Sequence, residues 1–400
     1  AKVHRSRYLA HAKVIAVTGS GGKTSATYFL GKILTDDSTC FVGVHSNNRD
    51  AIKRHLSEVR KPYAYFVQET AVSEAGEMAK SVALLRPNVG IVTTIGRDHY
   101  TSFRTLNATA AEKGKLIQSL PGSGIAVLNA DDPHVIAMQQ LTDAKVLTYG
   151  LSKEADVQAS DIRSFWPERL SLSITWREET VRIHTQLFGD LLTTSLLAAI
   201  AGALAVGVSL EQCKKSLDGI RPVHNRLSIH QSSRGAWFIN DTYKASFWGV
   251  APVISLMKEA RAPRKTVVMG SFSDLGGGSA SNKYRAMAKL GLTVADRVVF
   301  VGRHSASIKK LVKPHTEGRL YLFDSIKSAA QFIYEESIEN ELVMLKASTL
   351  CRLDRLIWAG EKEFTCWKET CERKKCCSRC EQGGMASLSS KNNTREAGKG

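Results

Sequence analysis

The residues best placed to do chemistry stand near the start of the sequence, where the apolar run Val14-Ile15-Ala16-Val17 breaks into Thr18-Gly19-Ser20-Gly21-Gly22-Lys23-Thr24-Ser25. A strand that ends in small residues leaves backbone N–H groups uncovered, and a helix starting there adds the positive end of its dipole. Polyphosphate fits such a place. Lys23 would reach the outer phosphates as a point charge, and the Thr24 hydroxyl would hold a Mg²⁺ bridging them. Val17 stands where the usual eight-residue phosphate loop has its first glycine, so the loop is a compressed one. Gly19, Ser20, Gly21, Gly22, Lys23, Thr24 and Ser25 are the candidate phosphate contacts.

Other polar groups follow apolar runs in the same way. Glu69 ends Tyr65-Phe66-Val67-Gln68, and Arg97-Asp98-His99 follows Ile91 to Ile95. A carboxylate and an imidazole at neighbouring strand ends, near a phosphate loop, are candidate metal ligands or metal orienters. The helical stretch Ala108 to Leu120 carries Glu112, Lys113 and Lys115. The polar turn Asn129-Ala130-Asp131-Asp132-Pro133 offers side chains for a base or ribose, although turn chemistry alone would also explain it.

These residues need strands and helices to hold them. Apolar strands are expected near Lys13 to Thr18, Cys40 to Val44, Ala64 to Glu69, Val89 to Ile95, Gly124 to Asn129 and Lys145 to Tyr149, with helical patterns between most of them. Such alternation means a mainly parallel sheet covered on both faces, with ligands gathered at the strand carboxyl ends. Residues from about Ala155 to Leu187 read as antiparallel strands. The uncharged stretch Leu191 to Leu210 imitates a membrane span, but its Ala, Gly, Ser and Thr content suits a buried helix. Ser209 with Gln212 forms a capping pattern for the next helix.

The pattern restarts around Arg221-Pro222. Further strands are expected near Ala236 to Asn240, Lys265 to Gly270, Arg297 to Gly302, Leu320 to Phe323 and Leu342 to Lys346, and a last helix from Leu350 to Trp358. The fold class is therefore α/β: a P-loop parallel-sheet ATPase domain over residues 1–220, then a Rossmann-like α/β domain over 221–360. Residues 361–400 form a cysteine-rich and then low-complexity tail, expected to be disordered at its end.

With 400 residues, 43% apolar and 23% charged, the chain has an ordinary globular composition. Its formal charge of +17 is spread along the sequence, which favours anionic small ligands over a nucleic-acid track. The basic start, Ala1 to His11, leads into too short an apolar run for a signal peptide, which points to the cytoplasm, with no membrane partner. Five of eight cysteines crowd between Cys366 and Cys380, unlike a secreted disulfide framework. Cys366, Cys371, Cys377 and Cys380 offer four thiolates for a structural Zn²⁺; a reduced, flexible tail is the alternative. Oligomeric state leaves no signal.

Taken together, these stretches resemble the Mur ligase family of ATP-dependent amide ligases, most closely its MurF-like branch, from about Val14 to Trp358. The resemblance implies that Gly19, Gly22, Lys23 and Thr24 bind the ATP phosphates. Asn47-Asn48 is similar to the Asn-Asn pair after the second strand, Glu69 to the Mg²⁺-ligating glutamate, and Gly76-Glu77 to the Gly-Glu that follows it. His99 stands at the second-metal histidine and Lys113 at the carbamylated lysine, with Lys115 as the alternative register. Carbamylation makes physical sense, because an ammonium beside two Mg²⁺ ions would be repelled whereas a carbamate is a negative oxygen ligand. Asn129 and Asp132 lie in the stretch near the adenine. Arg226 follows Asn225 where the family usually shows Gly-Arg, an arginine reaching the nucleotide phosphates. Asp241 in Asp241-Thr242-Tyr243-Lys244-Ala245-Ser246 resembles the aspartate at the ATP ribose. Gly270 to Gly276 and Lys346-Ala347-Ser348 resemble two later motifs.

Three departures accompany the resemblance. The family's first domain, which holds a uridine nucleotide, is expected to be missing, because the phosphate loop comes so early. The usual Gly-x-His-Asn-x-x-Asn segment reads Gly189-Asp190-Leu191-Leu192-Thr193-Thr194-Ser195, and Lys244 and Phe247 replace an asparagine and a proline. An acid and an amine other than a cell-wall precursor are therefore expected. The implied reaction activates a small-molecule carboxylate as an acyl phosphate and couples it to an amine or amino acid, releasing ADP and phosphate, with Lys23, His99, Lys113 and Arg226 as the catalytic set. The resemblance further implies a hinge near Arg221. A nucleic-acid-binding or regulatory P-loop ATPase, or a relative that binds ATP without chemistry, are the alternatives.

Overall fold

The computed structural model describes residues 2–44, 47–98, 100–302, 304–359, 362–364, 366–371, 377, 380 and 386–387. The chain divides into two compact units, residues 1–164 with 168–223 and residues 165–167 with 224–400.

The first unit is built on nine strands: β1 (Lys13–Thr18), β2 (Cys40–Gly43), β3 (Tyr65–Glu69), β4 (Val89–Val92), β5 (Ile125–Asn129), β6 (Lys145–Gly150), β7 (Val157–Arg163), β8 (Ser171–Trp176) and β9 (Glu179–His184). They lie in the order β2-β3-β1-β4-β5-β6-β7-β8-β9. Pairing is parallel as far as β7 and antiparallel from β7 to β9. β1 lies inside the sheet and is buried from Val14 to Thr18, which is why it reads as an unbroken apolar run rather than an alternating one.

The uncharged stretch is the helix Thr193–Leu204, buried along nearly all its length and packed against the helix Lys23–Asp37. Its small residues permit close approach: a Cβ on Gly202 would lie 2.5 Å from Ile91 Cδ1. Ser209 accepts a hydrogen bond from the Gln212 N–H and starts the helix Leu210–Leu217. Among the described residues, no helix is long and apolar enough to cross a membrane.

The second unit holds β10 (Ser228–Gln231), β11 (Trp237–Asp241), β12 (Lys265–Met269), β13 (Arg297–Val301), β14 (Leu320–Phe323) and β15 (Leu342–Lys346), ordered β10-β11-β15-β12-β13-β14. All pairs are parallel except β10 with β11. Residues 165–167, placed by sequence inside the first domain, belong to this unit. Trp166 packs edge-on to Trp237 at 5.5 Å, and its carbonyl accepts a hydrogen bond from the Arg261 N–H.

The expected last helix, Leu350 to Trp358, is two short turns, Thr349–Cys351 and Arg355–Trp358. Arg352 between them is left-handed, at φ 52°. The interruption turns two buried arginines toward the tail, where Arg352 donates to the Cys371 carbonyl and Arg355 to the Lys368 carbonyl.

Candidate nucleotide and ligase site

The phosphate-type loop sits where its flanking elements require. β1 runs between β3 and β4, ends at Thr18, and gives way to Gly19–Gly22 before the helix Lys23–Asp37 begins. Gly19 has φ 144° and Gly22 φ 75°, backbone that a side chain rarely adopts. A Cβ on Gly19 would come 1.9 Å from Thr93 Oγ1, and one on Gly22 2.7 Å from Ser195 Oγ. The strand end next door braces the loop: the Ser20 N–H donates to the Thr94 carbonyl and the Gly21 N–H to Thr94 Oγ1, while Thr93 Oγ1 donates to the Gly21 carbonyl. Ser20 Oγ donates to the Gly96 carbonyl, and Lys23 Nζ curls back to the Gly19 carbonyl at 2.6 Å. Ser25 is buried in the first turn of the helix.

The register Val17 opposite Glu69 sets the β3 carboxylate beside this turn. Thr24 Oγ1 donates to Glu69 at 3.0 Å, and Asn47 Nδ2 donates to Glu69 Oε1 at 2.8 Å. Thr24 and Glu69 are both buried. A hydroxyl and a carboxylate held together under a glycine loop are hard oxygen donors of the kind Mg²⁺ takes alongside phosphate oxygens, so the donor set fits that ion.

The helix Leu106–Gln118 separates the two candidate lysines. Lys113 is only 1% exposed, whereas Lys115 lies at the surface and donates to Glu112 at 2.6 Å. Burial raises the Glu112 carboxyl, but hydrogen bonds from the Gly76 and Met78 N–H groups and from Lys115 outweigh it and hold the group below its usual range. Lys115 is thus committed to Glu112, and the inward position belongs to Lys113. His99 lies outside the described residues; Asp98 beside it is buried.

Asn129 and Asp132 are both tied into the surrounding scaffold. Asn129 Nδ2 donates to the Thr93 carbonyl and its Oδ1 accepts the Asp131 N–H. Asp132 caps the short helix Pro133–Ile136 through the His134 and Val135 N–H groups, and its second oxygen accepts the Ile95 N–H at 2.7 Å. Turn chemistry accounts for both, and both brace the strand that carries Thr93 and Thr94. These two threonines escaped the sequence reading because a β-branched pair in an apolar run carries no chemical signature.

In the second unit, β11 and β15 pair Asp241 with Lys346 at their carboxyl ends. Lys346 Nζ lies 2.5 Å from Asp241 Oδ2 and 2.8 Å from the Lys244 carbonyl. The Arg226 guanidinium lies 4.3 Å from the centre of the Tyr243 ring. Arg226, Asp241 and Lys346 therefore belong to elements meeting at one edge of this sheet.

The cysteine expectation finds no support. Among the described residues, no group of three or more His, Cys, Asp or Glu side chains could hold a metal. Cys366, Cys371, Cys377 and Cys380 are free cysteines. Burial first, then Asp354, raises the Cys377 thiol, against which Arg355, whose Nε donates to the Sγ, pulls it down.

A parallel sheet with a glycine loop at a strand end, followed by a second α/β unit with a basic and acidic edge, defines a nucleotide-dependent two-domain enzyme class. The Mur ligase middle domain matches residues 17–203, and the Mur ligase glutamate ligase domain matches residues 225–349. The UDP-N-acetylmuramoyl-tripeptide--D-alanyl-D-alanine ligase of Escherichia coli (strain K12) is 26% identical over 360 residues, covering 89% of this chain and 78% of that protein. MurF from Acinetobacter baumannii superposes with a TM-score of 0.78 at 24% identity, over 88% of this chain and 77% of that one. The MurF ligase from Thermotoga maritima in complex with ADP superposes with a TM-score of 0.75 at 20% identity, over 89% and 80%. The chain belongs to the Mur ligase family, and its class of activity is ATP-dependent amide-bond ligation.

Proposed function

We propose that this protein activates a small-molecule carboxylate with ATP as an acyl phosphate and couples it to an amine or amino acid, releasing ADP and phosphate. The observation that carries the reading is the Thr24 to Glu69 hydrogen bond under the glycine loop, with Asn47 on the same carboxylate. The loop N–H groups and Lys23 bind the ATP phosphates, and Lys23 and Arg226 neutralise the charge that develops on the transferring phosphoryl group. Mg²⁺, when bound through Thr24, Glu69, His99 and a carbamylated Lys113, supplies charge neutralisation for the phosphates. Asp241 binds the ATP ribose.

The carboxylate oxygen attacks the γ-phosphorus and ADP leaves. The amine nitrogen then attacks the acyl carbon, forming the C–N bond, and after proton loss from nitrogen the tetrahedral intermediate re-forms the carbonyl as its C–O bond to phosphate breaks. Roles for Arg226 and Asp241 at the same nucleotide, and for a hinge near Arg221 that shields the intermediate from water, follow the family resemblance.

A coupled ADP-release assay over a panel of acids and amines tests the proposal. The panel includes a UDP-linked muramyl peptide and unlinked carboxylates. Release that requires one acid and one amine together is expected. Release with ATP alone that single-stranded or duplex polynucleotide accelerates would replace the ligase reading with a nucleic-acid ATPase.

A further inference from the structure

Arg226 sits between two left-handed residues, Asn225 at φ 58° and Leu227 at φ 53°. A leucine in that conformation is disfavoured by about 1 kcal/mol, so the turn persists only where its surroundings dictate it. Asn225 supplies the means. It is buried, its N–H donates to Ser228 Oγ at 3.1 Å, and its carbonyl accepts the Tyr243 N–H at 3.1 Å. Its Oδ1 accepts from Asn240 Nδ2 at 2.8 Å, and Asn240 Oδ1 in turn accepts from Thr242 Oγ1 at 2.7 Å.

Asn240 precedes Asp241 on β11 and Thr242 follows the strand's last residue, while Tyr243 carries the ring beneath Arg226. The Arg226 turn is thus tied at three points to the strand end that bears Asp241. The sequence alone gave Asn225 only as a departure from Gly-Arg. Its φ shows why asparagine is admissible there, and its amide adds a bond that glycine lacks.

We infer that Asn225 is a positioning residue: through its side-chain amide it fixes the Arg226 guanidinium relative to Asp241, so that both address one nucleotide in a set geometry. The inference rests on the proposed role of Arg226. Asn225→Gly is the informative variant, because glycine tolerates the left-handed backbone and removes only the amide. Asn225→Asp keeps an acceptor for Asn240 Nδ2 and serves as the rescue.

With the acid and amine pair that gives the strongest ADP release, Asn225→Gly is expected to lower kcat about tenfold with KM for ATP within about twofold of the parent, the scale of one buried hydrogen bond. Asn225→Asp recovers most of kcat. Hydrogen exchange of the Arg226, Leu227 and Tyr243 amides speeds up in Asn225→Gly while β12 to β14 keep their protection. Unchanged kcat in Asn225→Gly, or equal losses in the Gly and Asp variants, overturns the inference provided Arg226→Ala lowers kcat. An Arg226→Ala variant with unchanged kcat overturns the underlying role of Arg226 instead.

Discussion

At the scale of single residues, the candidate site is shaped by close packing at two glycines and by one buried carboxylate. Gly19→Ala would drive a methyl into the Thr93 hydroxyl, which itself holds the Gly21 carbonyl, so the loop would open. ATP affinity, read by nucleotide titration, is expected to fall about tenfold or more. Glu69→Gln keeps the shape but removes the charge that Thr24 and Asn47 address. Its expected signature is a Mg²⁺ requirement for ATP binding raised by about tenfold or more, seen by titrating the metal at fixed nucleotide. Lys115→Ala should leave turnover unchanged, since Lys115 serves Glu112, whereas Lys113→Ala should abolish it; equal effects would remove the reason for choosing Lys113.

Elements are held by networks at the sheet end away from the candidate site. In the second unit, Glu341 at the start of the β15 segment is fully buried and accepts from Arg264 at 2.6 Å, Arg297 at 2.8 Å and Thr266 at 2.5 Å. Burial lowers Arg297, and the Glu341 carboxylate pulls it back up, so each charge depends on its partner. Glu341→Ala leaves two cations uncompensated and is expected to cost about 3 to 5 kcal/mol, measured by urea denaturation.

On β10, burial and then His224 push the His230 imidazole from 6.5 down to about 4. Between those values the unfolded chain binds the proton and the folded chain refuses it, so the stability His230 contributes is complete above about pH 6.5 and is lost as pH falls through about 4. His230→Gln should flatten that acid-side decline in the urea midpoint. An unchanged decline would assign it to the carboxylates.

For the molecule as a whole, the proposed chemistry draws on residues of both units, and the decisive variant is Arg226→Ala. ATP binding should survive, because the glycine loop and Lys23 lie in the first unit, while acid- and amine-dependent ADP release should fall at least about a hundredfold. Retained turnover would restrict the chemistry to the first unit. The high positive charge belongs to this scale too: binding of ATP should weaken only modestly with added salt, in contrast to the steep dependence of a polynucleotide complex.

The sequence by itself determined the loop, the strands and the polar residues at the strand ends, because glycine spacing, apolar runs and the residues that follow them act over a few neighbours. It singled out Gly19 to Thr24 and Glu69 as candidates before any coordinates, and Asp241 through the family resemblance. Only the tertiary structure decided which partners these side chains hold. Asn129 and Asp132 bond to Thr93, Ile95 and a helix N-terminus, and Lys113 rather than Lys115 is buried. It also assigned residues 165–167 to the second unit and broke the last helix at Arg352. Those outcomes depend on partners far along the chain, as where the Trp166 carbonyl accepts from the Arg261 N–H, and no local pattern encodes a partner brought near by folding.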